Sequence, residues 1–177
     1  MRIISGKHRG MKLAEFEGAE IRPTADRVKE SLFNILYPYI SGARALDLFC
    51  GSGNLGIECL SRGAQSVHFN DISAESVAVL KKNLSRLKEE NFTVTNLDFS
   101  VCLSRVKGFD LIFIDPPYKS DAGIRALELS AQNAVLNSGG IAVYERDIPF
   151  AGEVAGLKKF DERKYGKTYL TFFEAEK

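Results

Sequence analysis

An open α/β fold with a mostly parallel, seven-stranded sheet is what this 177-residue sequence predicts. Three observations carry that expectation. From Ala43 onward, apolar segments of strand character alternate with segments of helical periodicity, the pattern of repeated strand–helix units with helices on both faces of a sheet. The stretch "DLFCGSGNLG", residues 47–56, sets Gly51, Gly53 and Gly56 between a strand and a helix, spelling G-x-G-x-x-G, the glycine turn of a Rossmann-like nucleotide site. The chain closes with two β-rich runs around Gly166, which read as a hairpin adding antiparallel strands at one edge.

The elements follow in order. "MRIIS" and "MKLAEF" flank "GKHRG" and predict a hairpin over residues 1–16, followed by a loop over 17–22. "PTADRVKESLFNILYPYI" reads as a helix with Val28, Leu32, Ile35 and Leu36 on one face. Pro38 should end it, because the residue before a proline is pushed out of the helical region. Residues 1–42 thus form a hairpin-and-helix appendage, and 43–177 the main domain. Within that domain "ARALDLF", "SVHFND", "FTVTNLD", "FDLIFID" and "GGIAVYERD" read as strands. "NLGIECLSRG" is a short helix closed by Gly63. "SAESVAVLKKNLSRLK" is a helix capped by Ser73, and "SDAGIRALELSAQNAVL" another. "KKFDERKYG" and "KTYLTFFEAE" form the closing hairpin.

The composition, 45% hydrophobic and 27% charged, is that of an ordinary folded domain. The net charge of +1 conceals two basic clusters. The first twelve residues carry Arg2, Lys7, Arg9 and Lys12 with no acid, and a later group holds Lys158, Lys159, Arg163, Lys164 and Lys167. Either could meet phosphates or be a solvated face. Cys50, Cys59 and Cys102 make no C-x-x-C, and with two histidines they offer no zinc site. They suit a reducing cytoplasm. No signal-peptide core and no membrane-spanning run is legible. No metal is expected, and no dimer signal stands out, so a monomer is expected.

In such sheets, ligands bind beyond the C-terminal ends of the strands. Asp47, Asp71, Asp98 and Asp115 end four of the strands read above. Four carboxylates on one rim repel one another, which suits a cationic or donor-rich ligand. Asp71, twenty positions past Gly51, is placed for ribose hydroxyls of any adenosine-bearing cofactor. A pyrophosphate would be repelled by Asp47, whereas a methionyl ammonium and a sulfonium would be attracted. "DPPY", residues 115–118, follows "FDLIFI" and leaves a buried strand. Its prolines remove two backbone donors and stiffen the loop. Asp115 and a proline carbonyl can accept hydrogen bonds from an exocyclic amine and hold its nitrogen in line with a methyl donor, while Tyr118 can stack on a base.

D-x-F-x-G-x-G with [D/N]-P-P-[Y/F] resembles the class I S-adenosylmethionine-dependent amino-methyltransferases of nucleic acids. "MRIISGKHRG", "RPTADRVKESLFNIL", "ARALDLFCGSGNLGIECLSRGA", "FDLIFIDPPY" and "YGKTYLTFF" together resemble the RsmD family of bacterial 16S rRNA guanine-N2 methyltransferases. The resemblance implies the Rossmann-like class I methyltransferase fold, with S-adenosyl-L-methionine as cofactor and 16S rRNA of the small ribosomal subunit as partner. It places the cofactor on Asp47, Gly51, Gly53, Asp71 and Asp98, with Asp71 on the ribose and Asp98 on the adenine amino group. It gives the catalytic loop to Asp115, Pro116, Pro117 and Tyr118. It brings Arg22, Thr24, Asp26 and Arg27 to the mouth of the site and gives an RNA-gripping arm to Arg2, Lys7, His8 and Arg9. Three positions depart from it: Cys50 for an alanine, Asn70 for an apolar residue, and Asp71 for a frequent glutamate. The low net charge points to a folded, protein-bearing ribosomal particle as substrate. Beside this stand the same chemistry on DNA adenine or cytosine or on a protein glutamine, and a non-catalytic RNA-binding assembly factor. The last predicts a decayed catalytic loop. A nicotinamide dehydrogenase leaves "DPPY" and the acidic rim without a role.

Overall fold

The computed structural model describes residues 1–15, 23–117 and 121–176, with the backbone alone over 23–25. The elements are α1 (Pro23–Ile35), α2 (Tyr37–Ile40), β1 (Arg44–Asp47), α3 (Asn54–Ser61), β2 (Ser66–Asn70), α4 (Ala74–Ser85) and β3 (Phe92–Thr95). They continue with α5 (Phe99–Arg105), β4 (Phe109–Ile114), α6 (Ala122–Gln132), β5 (Leu136–Arg146), β6 (Leu157–Tyr165) and β7 (Thr168–Ala175). The strands form one seven-stranded sheet in the order β3-β2-β1-β4-β5-β7-β6. β1 to β5 are parallel, and β7 and β6 add antiparallel strands at one edge. This is the expected α/β architecture with its terminal hairpin.

The sheet is covered on both faces. On one, Leu32, Phe33, Leu36, Ile57, Leu60, Leu80 and Leu84 pack against Val67, Phe69, Leu111, Phe113 and Phe172. On the other, Leu103, Ala126, Leu127 and Val135 pack against Leu46, Ile112, Ala142, Tyr144 and Phe173. The two sets alternate along each strand: Leu111 and Phe113 face one way, Ile112 and Ile114 the other. Helix formation on these faces follows the apolar spacing, and Ser73 caps α4 by accepting from Ser76 N, as expected.

Two local expectations changed. α1 stops at Ile35, and Pro38 lies in the first turn of the short helix α2 rather than ending α1 itself. A proline ring clashes with the carbonyl four residues back but needs no N–H in a first turn. The chain therefore breaks just ahead of Pro38 and restarts. α5 was not legible, because seven residues carry too little periodicity. Asp98, expected at a strand end, instead caps α5 three residues beyond β3.

The N-terminal hairpin is reduced to one antiparallel bridge, Arg2 to Lys12. It is flanked by Ile3 N donating to Met11 O and Leu13 N to Met1 O, both at 3.0 Å. Ile3 and Leu13 are buried in the same cluster as α1 and α3. What holds the hairpin down is polar and buried. Glu58, on α3 and 0% exposed, accepts from Ile4 N (2.9 Å) and Ser5 N (3.0 Å) and pairs with Lys29 (3.1 Å) and Arg62 (2.8 Å). Lys29 also donates to Arg2 O (2.6 Å) and Asn54 Oδ1 (2.8 Å). Hairpin, α1 and the start of α3 thus share one ionic knot.

Candidate active site

The C-terminal ends of β1, β2 and β4 meet at the glycine loop that links β1 to α3. Cys50 N donates to Asn70 O (2.9 Å) and Gly53 N to Cys50 O (2.7 Å), which curls the loop over the sheet. Gly53 has φ +90°, and a Cβ there would lie 2.4 Å from Leu80 Cδ1. A Cβ on Gly56 would lie 2.3 Å from the Phe69 ring. Gly53 lets the loop close against α4, and Gly56 lets α3 close onto β2. Gly51 differs: it has φ +53°, and a Cβ there would meet nothing within 4 Å. Its bare backbone faces open space, the form a ligand-facing turn takes.

The acids divide by environment. Asp47 is buried, and one of its oxygens accepts from Gly56 N at 2.8 Å. Burial pushes its carboxyl up to about 7, against the pull of Gly56 N and with a smaller push from Asp71. Asp71 accepts from Gly51 N (2.8 Å) and Ser73 N (2.9 Å), so it joins the glycine loop to the start of α4. Asp98 accepts from Ser100 Oγ (2.5 Å) and Ser100 N (2.9 Å). These bonds hold its carboxyl below the usual range. Asp98 is thus already a helix cap, whatever else it contacts.

Asp115 opens the loop that leaves β4. Parallel pairing of Ile114 with Tyr144 brings it level with Glu145 on β5, while Asp47 is level with Phe113 on the other side. Burial, then the charges of Glu145 and Asp47, push the Asp115 carboxyl well above its ordinary value. Pro116 is buried and Pro117 exposed, so the loop turns outward. Tyr118 and Arg22 lie outside the described residues, and of Thr24 only the helical backbone is described.

The basic arm lies along α3 and α4. His8 N donates to Ser61 Oγ (3.0 Å), Ser61 Oγ to Ser5 O (2.6 Å) and Lys7 N to Ser61 O (2.8 Å). Lys7 and His8 both reach Glu89 at 2.6 Å, and Arg2 pairs with Asp26 at 3.4 Å. Arg9 and Arg27 are exposed.

Sequence reasoning gave no role to three residues of this neighbourhood, although Asn70 stood out as polar where an apolar residue was expected. Asn70, buried at the end of β2, donates to Leu48 O (3.2 Å) and Leu97 O (3.0 Å) and accepts from Thr95 (2.8 Å). It staples three strand ends that an apolar residue could not join. Asn83 donates to Ser52 O (2.9 Å) and Ala14 O (3.0 Å), tying the arm to the glycine loop. A polar residue on the apolar face of a strand or helix was the available signal for both. Glu145 became visible only through strand pairing.

Among the described residues no cluster suited to a metal ion occurs, and no helix is long and apolar enough to cross a membrane. A polar cleft lined by Tyr39, Ser41, Asp110 and Ser138 lies at the opposite end of the strands, away from this rim.

A family model described as "Conserved hypothetical protein 95" matches residues 1–174. The chain is 37% identical to "Putative rRNA methyltransferase YlbH" of Bacillus subtilis over 98% of each chain. It is 40% identical to "Ribosomal RNA small subunit methyltransferase D" of Haemophilus influenzae, over 83% of this chain and 79% of that one. Among solved structures, "Putative methyltransferase yhhF" from Escherichia coli superposes with a TM-score of 0.90 at 33% identity, covering 99% of this chain and 98% of that one.

Proposed function

Because this chain belongs to the RsmD family, whose relatives are small-subunit rRNA methyltransferases, we propose that it methylates the exocyclic N2 of a guanine in 16S rRNA using S-adenosyl-L-methionine. The observation that carries this reading is Asp115-Pro116-Pro117 leaving β4 next to β1, whose glycine loop presents the open backbone of Gly51. A glycine whose missing side chain faces open space, with Asp71 on its N–H and Asp47 on the N–H of Gly56 in the same loop, fits an adenosyl group with a cationic methionyl tail. Asp71 would hold the ribose, Asp98 the adenine amino group, and Asp47 the loop beneath the methionyl end. Bound there, the cofactor supplies an electrophilic methyl on a sulfonium.

The chain's own residues prepare the amine. A guanine N2 is a poor nucleophile, because its lone pair is delocalised into the ring. Two acceptors, the Asp115 carboxylate and a proline carbonyl of the loop, orient its two hydrogens and favour a pyramidal nitrogen. Asp115 has a raised affinity for a proton, so it can accept the one the nitrogen sheds after transfer. A base in a duplex is out of reach, so the guanine is unpaired or flipped out. The arm with Arg2, Lys7, His8 and Arg9, together with Arg22, Thr24 and Arg27, would hold the surrounding RNA. A net charge of +1 gives little general attraction to naked RNA, so the substrate is an assembled or partly assembled small subunit in the cytoplasm, met by a monomer.

The test is methyl transfer from labelled S-adenosylmethionine to unmodified small subunits, with the nucleoside identified by mass spectrometry. N2-methylguanosine in 16S rRNA is expected. A different methylated nucleoside, or none with the cofactor bound, refutes the reading.

A further inference from the structure

The arm packs on one face of the sheet, through Ile3 and Leu13, and leaves the other face beside the catalytic loop uncovered by it. The late basic cluster has no role so far, and strand register brings part of it to that side. On β5, Arg146 pairs with Tyr169 of β7, which pairs with Lys164 of β6. Directly paired residues share a face, so Arg146, Tyr169 and Lys164 form one row. The face is that of Tyr144 and Phe173, opposite the arm. The row is next to the chemistry. Asp115 is level with Glu145, so Arg146 is one residue further along the neighbouring strand.

The side chains are arranged as cation, ring, cation. The Lys164 ammonium rests 5.3 Å from the Tyr169 ring centre. The Arg146 guanidinium is held 5.4 Å above Tyr144 and 5.9 Å from Phe150. Its Nε is buried and has no hydrogen-bond partner among the described residues. Two acids of the neighbouring strand are engaged elsewhere, while Asp121 and Asp147 lie on the Tyr144 side of the row. Glu162 accepts from Phe150 N and Thr171 and pairs with Lys159, and Asp161 pairs with Arg163. Lys164 is exposed, and Lys167 extends the positive charge at the hairpin turn. At about 4.8 Å per strand, the row runs roughly 10 Å outward from Arg146.

We propose that Arg146, Tyr169 and Lys164 form a second RNA-binding platform, which takes a single-stranded nucleotide next to the target base. The base stacks on Tyr169, and the phosphates on either side meet Arg146 and Lys164. Unpaired nucleotides are gripped in this way, by an aromatic face with cations along the backbone. Lys164, a flexible side chain resting on the ring, moves to the phosphate as the base arrives. This rests on the reading that the substrate is RNA. It adds a contact on the face away from the arm, so the strand is held on both sides of Asp115.

The experiment measures methylation of unmodified small subunits by the full chain and by Tyr169→Leu, Tyr169→Phe and Lys164→Ala, at several salt concentrations. Thermal melting and cofactor titration serve as controls. Tyr169→Leu should raise KM roughly 5- to 150-fold, as expected for one lost base stack, with kcat and cofactor affinity unchanged. Tyr169→Phe should restore the wild-type KM. Lys164→Ala should raise KM several-fold and reduce the slope of log(kcat/KM) against log salt by about 0.7, the value for one phosphate on a single strand. Wild-type KM and salt slope in both Tyr169→Leu and Lys164→Ala overturn the platform while leaving the methyltransferase reading intact. A raised KM for Lys164→Ala with an unchanged salt slope also overturns it, since the contact would then be to a ribosomal protein. Failure of the wild-type chain to methylate the subunit refutes the function itself.

Discussion

Glu58→Gln tests whether the buried knot holds the N-terminal hairpin in place. The side chain keeps its shape but loses its charge. Lys29, whose side chain is 2% exposed, then keeps the neutral acceptors Arg2 O at 2.6 Å and Asn54 Oδ1 at 2.8 Å and the more distant charge of Asp26, but loses the carboxylate that faced it. An uncompensated buried charge costs about 3–5 kcal/mol. A glutamine offers one acceptor oxygen where Glu58 offered two, so Ile4 N or Ser5 N also loses its partner, which adds about 1 kcal/mol or more. A total of about 4–6 kcal/mol, with a urea slope of about 2.5 kcal/mol per molar, moves the midpoint of unfolding down by roughly 2 M. The assay is urea denaturation of wild type, Glu58→Gln, Lys29→Met and the double variant. Lys29→Met should cost less than Glu58→Gln, because Arg62 and two amides still satisfy the carboxylate. The double variant should recover more than half of the Glu58→Gln loss, since it removes the stranded ammonium. A Glu58→Gln loss below about 1 kcal/mol, well under the buried-charge cost, or additive losses in the double variant, would refute this account.

The other expectations concern the rim. Asp115 accepts the amine in its ionised form, and burial with Glu145 and Asp47 favours the protonated form. Single-turnover transfer should therefore be lost as pH falls through a value well above the ordinary carboxylate range of about 4. Glu145→Gln removes one repelling charge and should move that limb to lower pH. Asp115→Ala should abolish transfer at every pH while cofactor titration stays normal; equal loss of cofactor affinity would mean that its role is different. Asp71→Ala, which removes the acceptor of Gly51 N and Ser73 N, should weaken cofactor binding by about tenfold or more, the equivalent of roughly 1.5 kcal/mol. Unchanged affinity in a calorimetric titration would exclude the ribose role. Asp47 has a folded value of about 7, above its unfolded value near 3.9. The folded state thus binds more protons between these values, and stability should fall as pH rises from 4 through 7. Asp47→Asn should flatten that slope, as read from melting temperature against pH.

Much of this molecule could be read from spacing alone. Strand–helix alternation and apolar period arise from local geometry, so they predicted a mostly parallel sheet and the terminal hairpin, though not the strand order. Gly51 and Gly53 require positive φ, and Pro116 and Pro117 remove donors; both constraints belong to single residues, and both marked the site before any contact was known. Asp47, Asp71 and Asp115 could be placed at strand ends because a strand's end shows in its own hydrophobicity. Asp98 misled, because a helix cap and a strand end look alike beside a seven-residue helix.

Partners distant in the chain were decided only by the tertiary structure. Glu58 and Lys29 look like two ordinary surface charges on two helices, and only packing buries them together against the hairpin. Asn70 and Asn83 look like defects in apolar patterns until the strand ends and the glycine loop they join are brought around them. Glu145 stands beside Asp115, and Arg146 in line with Tyr169 and Lys164, only through strand register, which couples residues far apart in sequence. The sequence by itself determined what each residue can do, because torsion preference, hydrophobicity and acidity are local. Which residues act together, and hence the shifted acidity of the rim, depended on burial and neighbours that exist only once the sheet is assembled.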